Sequence, residues 1–210
     1  MEYSDGRFLP VFPLPDTVLY PGILLPLHVF EPRYRLMLAE VLDTYGKLAV
    51  ALLEPASRQS KKEEQPQVYP VMGVGHVMTY ETRPDGTSYV FLVGEARVRV
   101  VDWESRTRHF RRASLEALDE VAVPVAKRRR ALERRLSKWL ERLTRSSGKN
   151  EDFLALQKVV GKEKDAGFLT DFLAHHFIEE VEERQRLLEE VEVERRAEAL
   201  CASLEARWGS

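Results

Sequence analysis

Residues 10–45 read PVFPLPDTVLYPGILLPLHVFEPRYRLMLAEVLDTY, and the change of period within this stretch decides the kind of fold the chain adopts. Its first half sets Pro10, Pro13, Pro15, Pro21 and Pro26 among Val11, Leu14, Val18, Leu19, Ile23, Leu24, Leu25 and Leu27. That is too many prolines for a helix interior and too much apolar side chain for a solvated loop. The pattern predicts short buried extended pieces joined by fixed turns. Pro21-Gly22 is one such turn, because proline pre-sets the first central φ and glycine accepts the positive φ that a type II turn needs next. After Phe30 the period changes. Tyr34, Met37, Leu38, Val41 and Leu42 recur at three and four residues, the apolar stripe of an amphipathic helix. Pro32 suits its first position, Glu31 brings negative charge to its positive end, and Gly46 terminates it. The stretch therefore reads strand, turn, strand, helix.

Working outward, Lys47 to Leu53 is an apolar run of strand length, and Glu54 to Gln67, EPASRQSKKEEQPQ, has almost nothing to bury. The latter is expected to be a mobile surface insertion. Between Val68 and Val101, Val71, Val74, Val77, Tyr80, Tyr89, Phe91 and Val93 supply strand formers around the turn residues Arg83-Pro84-Asp85-Gly86. Gly73, Gly75 and Gly94 weaken regular pairing and mark bends or bulges where a sheet curls on itself. Over Ala96-Arg97-Val98-Arg99-Val100 the alternation predicts apolar side chains inward and arginines outward. A last strand is expected from Phe110 to Leu118, giving a strongly bent sheet or small barrel.

Beyond it the period is helical. Leu132, Leu136, Trp139, Leu140 and Leu143 form one stripe, with arginines and lysines over much of the remaining surface. Asn150 is positioned to cap a helix over Glu151 to Val160, and Asp165 another through Phe168, Leu169, Phe172, Leu173 and Phe177. A helical pair or broken helix follows over 179–208. The expected class is α+β, with a β subdomain over residues 1–120 carrying one helix and a helical bundle over 121–210.

The 44% apolar and 31% charged composition describes a globular chain. Cys201 is the one cysteine, which excludes an intramolecular disulfide and favours a reducing compartment. No apolar run approaches the roughly 20 residues a membrane helix needs, and MEYSDGR lacks the pattern of a signal peptide. A cytoplasmic location is expected. The net charge of −2 hides a segregated distribution: residues 1–105 carry −4, 106–149 carry +9 and 150–210 carry −7. A basic block of this kind fits either a nucleic-acid face or a helix neutralised by an acidic neighbour.

Phe12-Pro13-Leu14, Tyr20-Pro21-Gly22, Pro26-Leu27 and Phe30-Glu31-Pro32-Arg33-Tyr34 stand in an order and spacing that closely resembles the opening of the Lon-type substrate-binding domain. Gly73-Val74-Gly75 and Val93-Gly94-Glu95-Ala96-Arg97-Val98-Arg99-Val100 continue the resemblance. So, more loosely, do Leu169-Thr170-Asp171-Phe172-Leu173-Ala174, Arg184-Gln185-Arg186-Leu187-Leu188-Glu189 and Val193-Glu194-Arg195-Arg196. The resemblance implies a PUA-like pseudo-barrel, followed by helices, that engages peptide or protein segments without catalysing a reaction. It also implies a Lon-type protease or another quality-control protein as partner. Lon proteases carry ATPase and serine-lysine protease modules behind this domain, and neither is expected within residues 1–210.

The residues themselves agree with a noncatalytic reading. Gly148-Lys149 lacks the first glycine and the hydroxyl of a phosphate-binding loop, and Gly73-Val74-Gly75 lacks the third glycine of a dinucleotide loop. His28, His76, His109, His175 and His176 have no metal-ligand spacing, so neither metal nor cofactor is expected. Glu31 beside Arg33 and Arg35 reads as a helix-start ion pair rather than a general acid.

What remains is binding. Tyr20, Phe30, Tyr34, Tyr80 and Tyr89 are the candidate aromatic anchors of a groove for unfolded segments, since aromatics bury a large area with few rotatable bonds. Arg97 and Arg99 are the candidate polar rim. The alternative is RNA binding through the basic 106–149 block, as in PUA-like barrels elsewhere, with Lys127 to Arg130, Arg134 and Arg135 meeting phosphates.

Overall fold

A computed structural model describes residues 8–58, 66–105, 109–146 and 165–209. The chain divides into two compact units, Met1–Leu118 and Asp119–Ser210.

The first unit is a six-stranded mixed sheet of β1 (Leu9–Leu14), β2 (Leu24–Val29), β3 (Lys47–Leu52), β4 (Val71–Thr82), β5 (Ser88–Trp103) and β6 (Arg111–Ala117). Its order is β2-β5-β4-β3-β1-β6, with an additional β5–β6 pairing. The long β5 makes this possible: Ser88 to Val93 pairs with β2, and Val98 to Trp103 pairs with β6. The sheet thus curls until β6 meets β5, yet it is not a true barrel, because β2 stands outside the circuit and β1–β6 pair over three residues only.

β1 and β3 run parallel and are buried on both faces, which is why they read as continuous apolar runs. One face packs Phe12, Leu48, Val50, Val90 and Leu92 against Tyr34, Met37, Leu38 and Val41 of helix α1 (Pro32–Asp43). The other packs Val11, Met72, Val74, Val98 and Leu115 inside the curl, where Ala49, Ala51 and Ala113 keep the tight space fillable.

The proline-rich ribbon is a strand, a strap and a second strand. At the turn, Gly22 has φ 74° and the Ile23 N–H donates to the Tyr20 carbonyl at 3.2 Å, as a type II turn requires. The strap crosses the sheet at its glycines. A Cβ on Gly73 would lie 2.0 Å from the Leu19 carbonyl oxygen, and one on Gly94 would lie 2.0 Å from that of Tyr20. The predicted bends are therefore places of close backbone approach, with a bulge at Val74/Gly75 as well.

Helix α1 begins at Pro32, and the Arg33 guanidinium pairs with Glu31 at 2.9 Å. It ends where Gly46, at φ 66°, donates to the Val41 carbonyl. The expected surface insertion is anchored at its described ends. One helical turn, α2 (Pro55–Arg58), buries Ser57, whose Oγ accepts from the Gln67 N–H at 2.8 Å. Residues 59–65 lie outside the described residues.

The second unit holds α3 (Ala126–Ser146), α4 (Ala166–Phe177), α5 (Val181–Glu189) and α6 (Val193–Trp208). The predicted stripe Leu132, Leu136, Trp139, Leu140 and Leu143 is buried. Asp165 caps α4 by accepting from the N–H groups of Gly167 and Phe168. The helix expected over 151–160 lies outside the described residues. Arg196 of α6 is fully buried and ties the unit together: Nε lies 3.1 Å from Asp171 Oδ1 of α4, Nη1 donates to the Glu190 carbonyl, and Nη2 pairs with Glu120.

Candidate functional site

The β2–β5 register sets Leu24 opposite Val93, Pro26 opposite Phe91 and His28 opposite Tyr89. Directly opposed residues share a face. On β2 the burial alternates, so that Leu24, Pro26, His28 and then Phe30 are exposed while Leu25 and Val29 are buried. Phe30 is 59% exposed, Leu24 40%, Phe91 39% and Tyr89 37%. The outward face of β2 and β5 is thus a continuous row of Leu24, Pro26, Phe91, His28, Tyr89 and Phe30.

The end of the row is ordered by ring contacts. His28 stacks on Tyr89 with centroids 4.7 Å apart and planes 16° from parallel, and Phe30 lies 5.6 Å from His28. Arg83, from the β4–β5 turn, lies over Tyr89 at 4.4 Å. That turn is itself fixed, with the Gly86 N–H donating to the Arg83 carbonyl and Asp85 accepting from both Thr87 N–H and Thr87 Oγ1. The Thr87 bonds hold the Asp85 carboxyl below its ordinary range. The Tyr89 ring is thus in contact with both a guanidinium and an imidazole, which hold it in place as an aromatic platform.

The expected seven-residue groove does not form as a unit. Tyr20, a residue of the strap, is fully buried and Tyr34 is 6% exposed against Phe12, with ring centroids 4.5 Å apart, so both belong to the core. Burial pushes the Tyr34 phenol up to about 12. Arg97, expected to point outward, is 1% exposed, with its guanidinium 5.9 Å from the Tyr20 ring. Alternation turns a charged side chain to solvent only where that face of the sheet is wet, whereas the strap covers the face on which Arg97 stands. Arg99 is exposed and lies 3.6 Å from Glu116, but it is ten residues along β5 from Tyr89, roughly 30 Å at strand rise.

Tyr80 is half exposed but pairs with Val90, so it occupies the opposite face from Tyr89. The structure therefore brings together Phe30 and Tyr89 and adds Leu24, Pro26, His28 and Phe91, which the sequence reading passed over as sites. A strict period-two reading of LLPLHVF from Phe30 backwards marks the first three of them.

In the second unit, α3 sorts its cations. Arg128 and Arg135 reach across to Glu194 and Glu205 of α6 at 3.9 and 2.6 Å, and Arg129 pairs with Glu133 along the helix. Lys127, Arg130, Arg134 and Lys138 follow at three and four residues, share one face and are exposed; none has an ion-pair partner among the described residues. Also among the described residues, no cluster of three or more His, Cys, Asp or Glu could hold a metal ion. No described helix is long and apolar enough to cross a membrane.

The fold of this chain is shared with solved Lon N-terminal domains. The chain matches the N-terminal domain of Mycobacterium avium complex Lon protease with a TM-score of 0.71 at 18% identity, covering 92% of this chain and 96% of that one. A Lon N-terminal domain protein from Xanthomonas campestris gives 0.64 at 22% identity, over 93% and 98%. The family described as the ATP-dependent protease La (LON) substrate-binding domain matches residues 8–206, and the chain belongs to that family. Curated relatives include a Lon protease of Azorhizobium caulinodans, 30% identical over 96% of this chain, and Lon protease 2 of Thermus thermophilus, 26% identical over 94%. The chain spans about a quarter of their length, 23% and 24% respectively. The matched span corresponds to the noncatalytic substrate-binding domain.

Proposed function

We propose that this chain holds apolar segments of unfolded proteins on the outward face of β2 and β5, without bond-making chemistry of its own. The observation that carries the reading is the unbroken exposed row Leu24, Pro26, Phe91, His28, Tyr89 and Phe30 on two paired strands. A preformed apolar surface costs little ordering on binding, and its aromatic members supply area with few rotors to freeze. Membership of a substrate-binding family supports the same assignment. The setting in this reading is cytoplasmic protein quality control, with a Lon-type protease or a comparable factor as partner, and the curled sheet serves as a PUA-like pseudo-barrel scaffold.

The test is fluorescence anisotropy with a labelled, reduced and carboxymethylated protein as the unfolded probe. Phe30→Ser combined with Phe91→Ser is expected to weaken binding at least about tenfold, because such anchors carry most of an interface's energy. Val101→Ser, at an equally exposed position on the far end of β5, is expected to leave it unchanged. Equal binding by all three proteins would sink the assignment.

A second reading is supported by the row Lys127, Arg130, Arg134 and Lys138. Four cations on one face, with no aromatic among them for base stacking, suit a phosphate backbone read without sequence preference. RNA is the ligand in this reading. Neutralising about four phosphates predicts roughly a hundredfold loss of affinity between 50 and 200 mM salt, and Arg130→Glu with Arg134→Glu is expected to abolish binding. Absence of RNA binding at 50 mM salt removes this reading.

A further inference from the structure

β2 is the end strand of the sheet order, hydrogen-bonded to β5 alone. Its entry fixes which backbone groups face which way. The Gly94 N–H donates to the Ile23 carbonyl at 2.9 Å, which puts Ile23 at a bonded position opposite Gly94; the returning bond to the Gly94 carbonyl comes from the Gly22 N–H at 2.8 Å, because the Ile23 N–H closes the turn onto Tyr20. Bonded and non-bonded pairs alternate along an antiparallel ladder. Leu25, Leu27 and Val29 therefore bond to Leu92, Val90 and Ser88, while Leu24, Pro26 and His28 turn their backbone groups away from β5. Pro26 fits this parity, since a proline in a ladder is tolerated where no N–H is needed. No strand among the described residues pairs with that side of β2.

The outward edge thus offers three carbonyls, of Leu24, Pro26 and His28, and two N–H groups, of Leu24 and His28. The same three residues carry the side chains of the apolar row. An edge of this kind recognises one chemistry: extended polypeptide backbone. Resting on the reading that the row holds unfolded apolar segments, we propose that the segment docks by adding an antiparallel strand beside β2.

In either direction alternate residues of the guest turn their amides to β2, and in the antiparallel direction three guest N–H groups meet the carbonyls of His28, Pro26 and Leu24. The side chains of those same guest residues fall on the outward face, beside Leu24, Pro26 and His28. The preferred guest is therefore an extended segment with apolar residues at every second position, bonded through the amides of its apolar residues.

The experiment uses a fluorescein-labelled peptide of nine residues, alternating leucine and threonine between terminal lysines, and two N-methylated versions. Methylation of the three leucine amides is expected to weaken binding at least about tenfold, since buried backbone bonds are lost and a methyl group enters the ladder. Methylation of the threonine amides is expected to leave affinity within about twofold. Equal loss from both versions, with the unmethylated peptide still bound, overturns strand addition and leaves the apolar face standing. No binding of the unmethylated peptide overturns the strand addition together with the reading it rests on.

Discussion

Tyr34 shows how one side chain can be legible as part of an element and misleading as a site. Its place in the stripe with Met37, Leu38 and Val41 gives the helix, and the same stripe buries it against Phe12. Its phenol, raised from 10.0 to about 12 by burial, keeps its proton in the folded state at a pH where the unfolded chain has lost it. Stability should therefore fall as pH rises from 10 to 12, by up to about 2–3 kcal/mol from this group. Tyr34→Phe is expected to flatten that decline, read from urea melts at pH 9, 10 and 11. Gly94 makes the complementary case. An alanine there would drive its Cβ into the Tyr20 carbonyl, so Gly94→Ala should destabilise by about 1–3 kcal/mol or more in equilibrium denaturation.

Among elements, α4 and α6 show why some local signals are trustworthy. Asp165 was identifiable as a cap because short carboxylates satisfy the first free N–H groups of a helix, a purely local requirement. Asp165→Ala should cost about 1 kcal/mol, measurable as a small drop in melting temperature. Arg196 is different: nothing in VEVERRAEAL distinguishes it from exposed Arg195, yet it is fully buried against Asp171. Removing it leaves a buried carboxylate without that counter-charge, so Arg196→Leu should destabilise by about 3–5 kcal/mol. Arg196→Leu with Asp171→Leu should recover part of the loss, and a double variant as unstable as the single one would contradict the pairing.

At the scale of the whole molecule, the curl of the sheet divides the seven expected binding residues. β5 is long enough to serve β2 at one end and β6 at the other, which carries Arg99 far from Tyr89 and sets Tyr80 on the opposite face from it. Single serine substitutions at Tyr80 or Arg99 are accordingly expected to leave capture of an unfolded probe within about twofold of wild type, whereas Phe91→Ser weakens it. Anisotropy titrations of the three variants side by side check this.

Proline spacing, turn residues, helix periods and caps were determined by the sequence alone, because each answers to steric and hydrogen-bond demands within a few residues of chain. So was the kinship, which rests on the same ribbon. The tertiary structure decided which side of an alternating strand is wet, since that depends on what crosses it. The strap over Gly73 and Gly94 covers Arg97 and buries its own Tyr20, and the position of β2 at the end of the sheet leaves Leu24, Pro26, His28 and Phe30 open to solvent. Apolarity alone could not separate these from the core, because LLPLHV is apolar on both faces and only its neighbours tell the two apart.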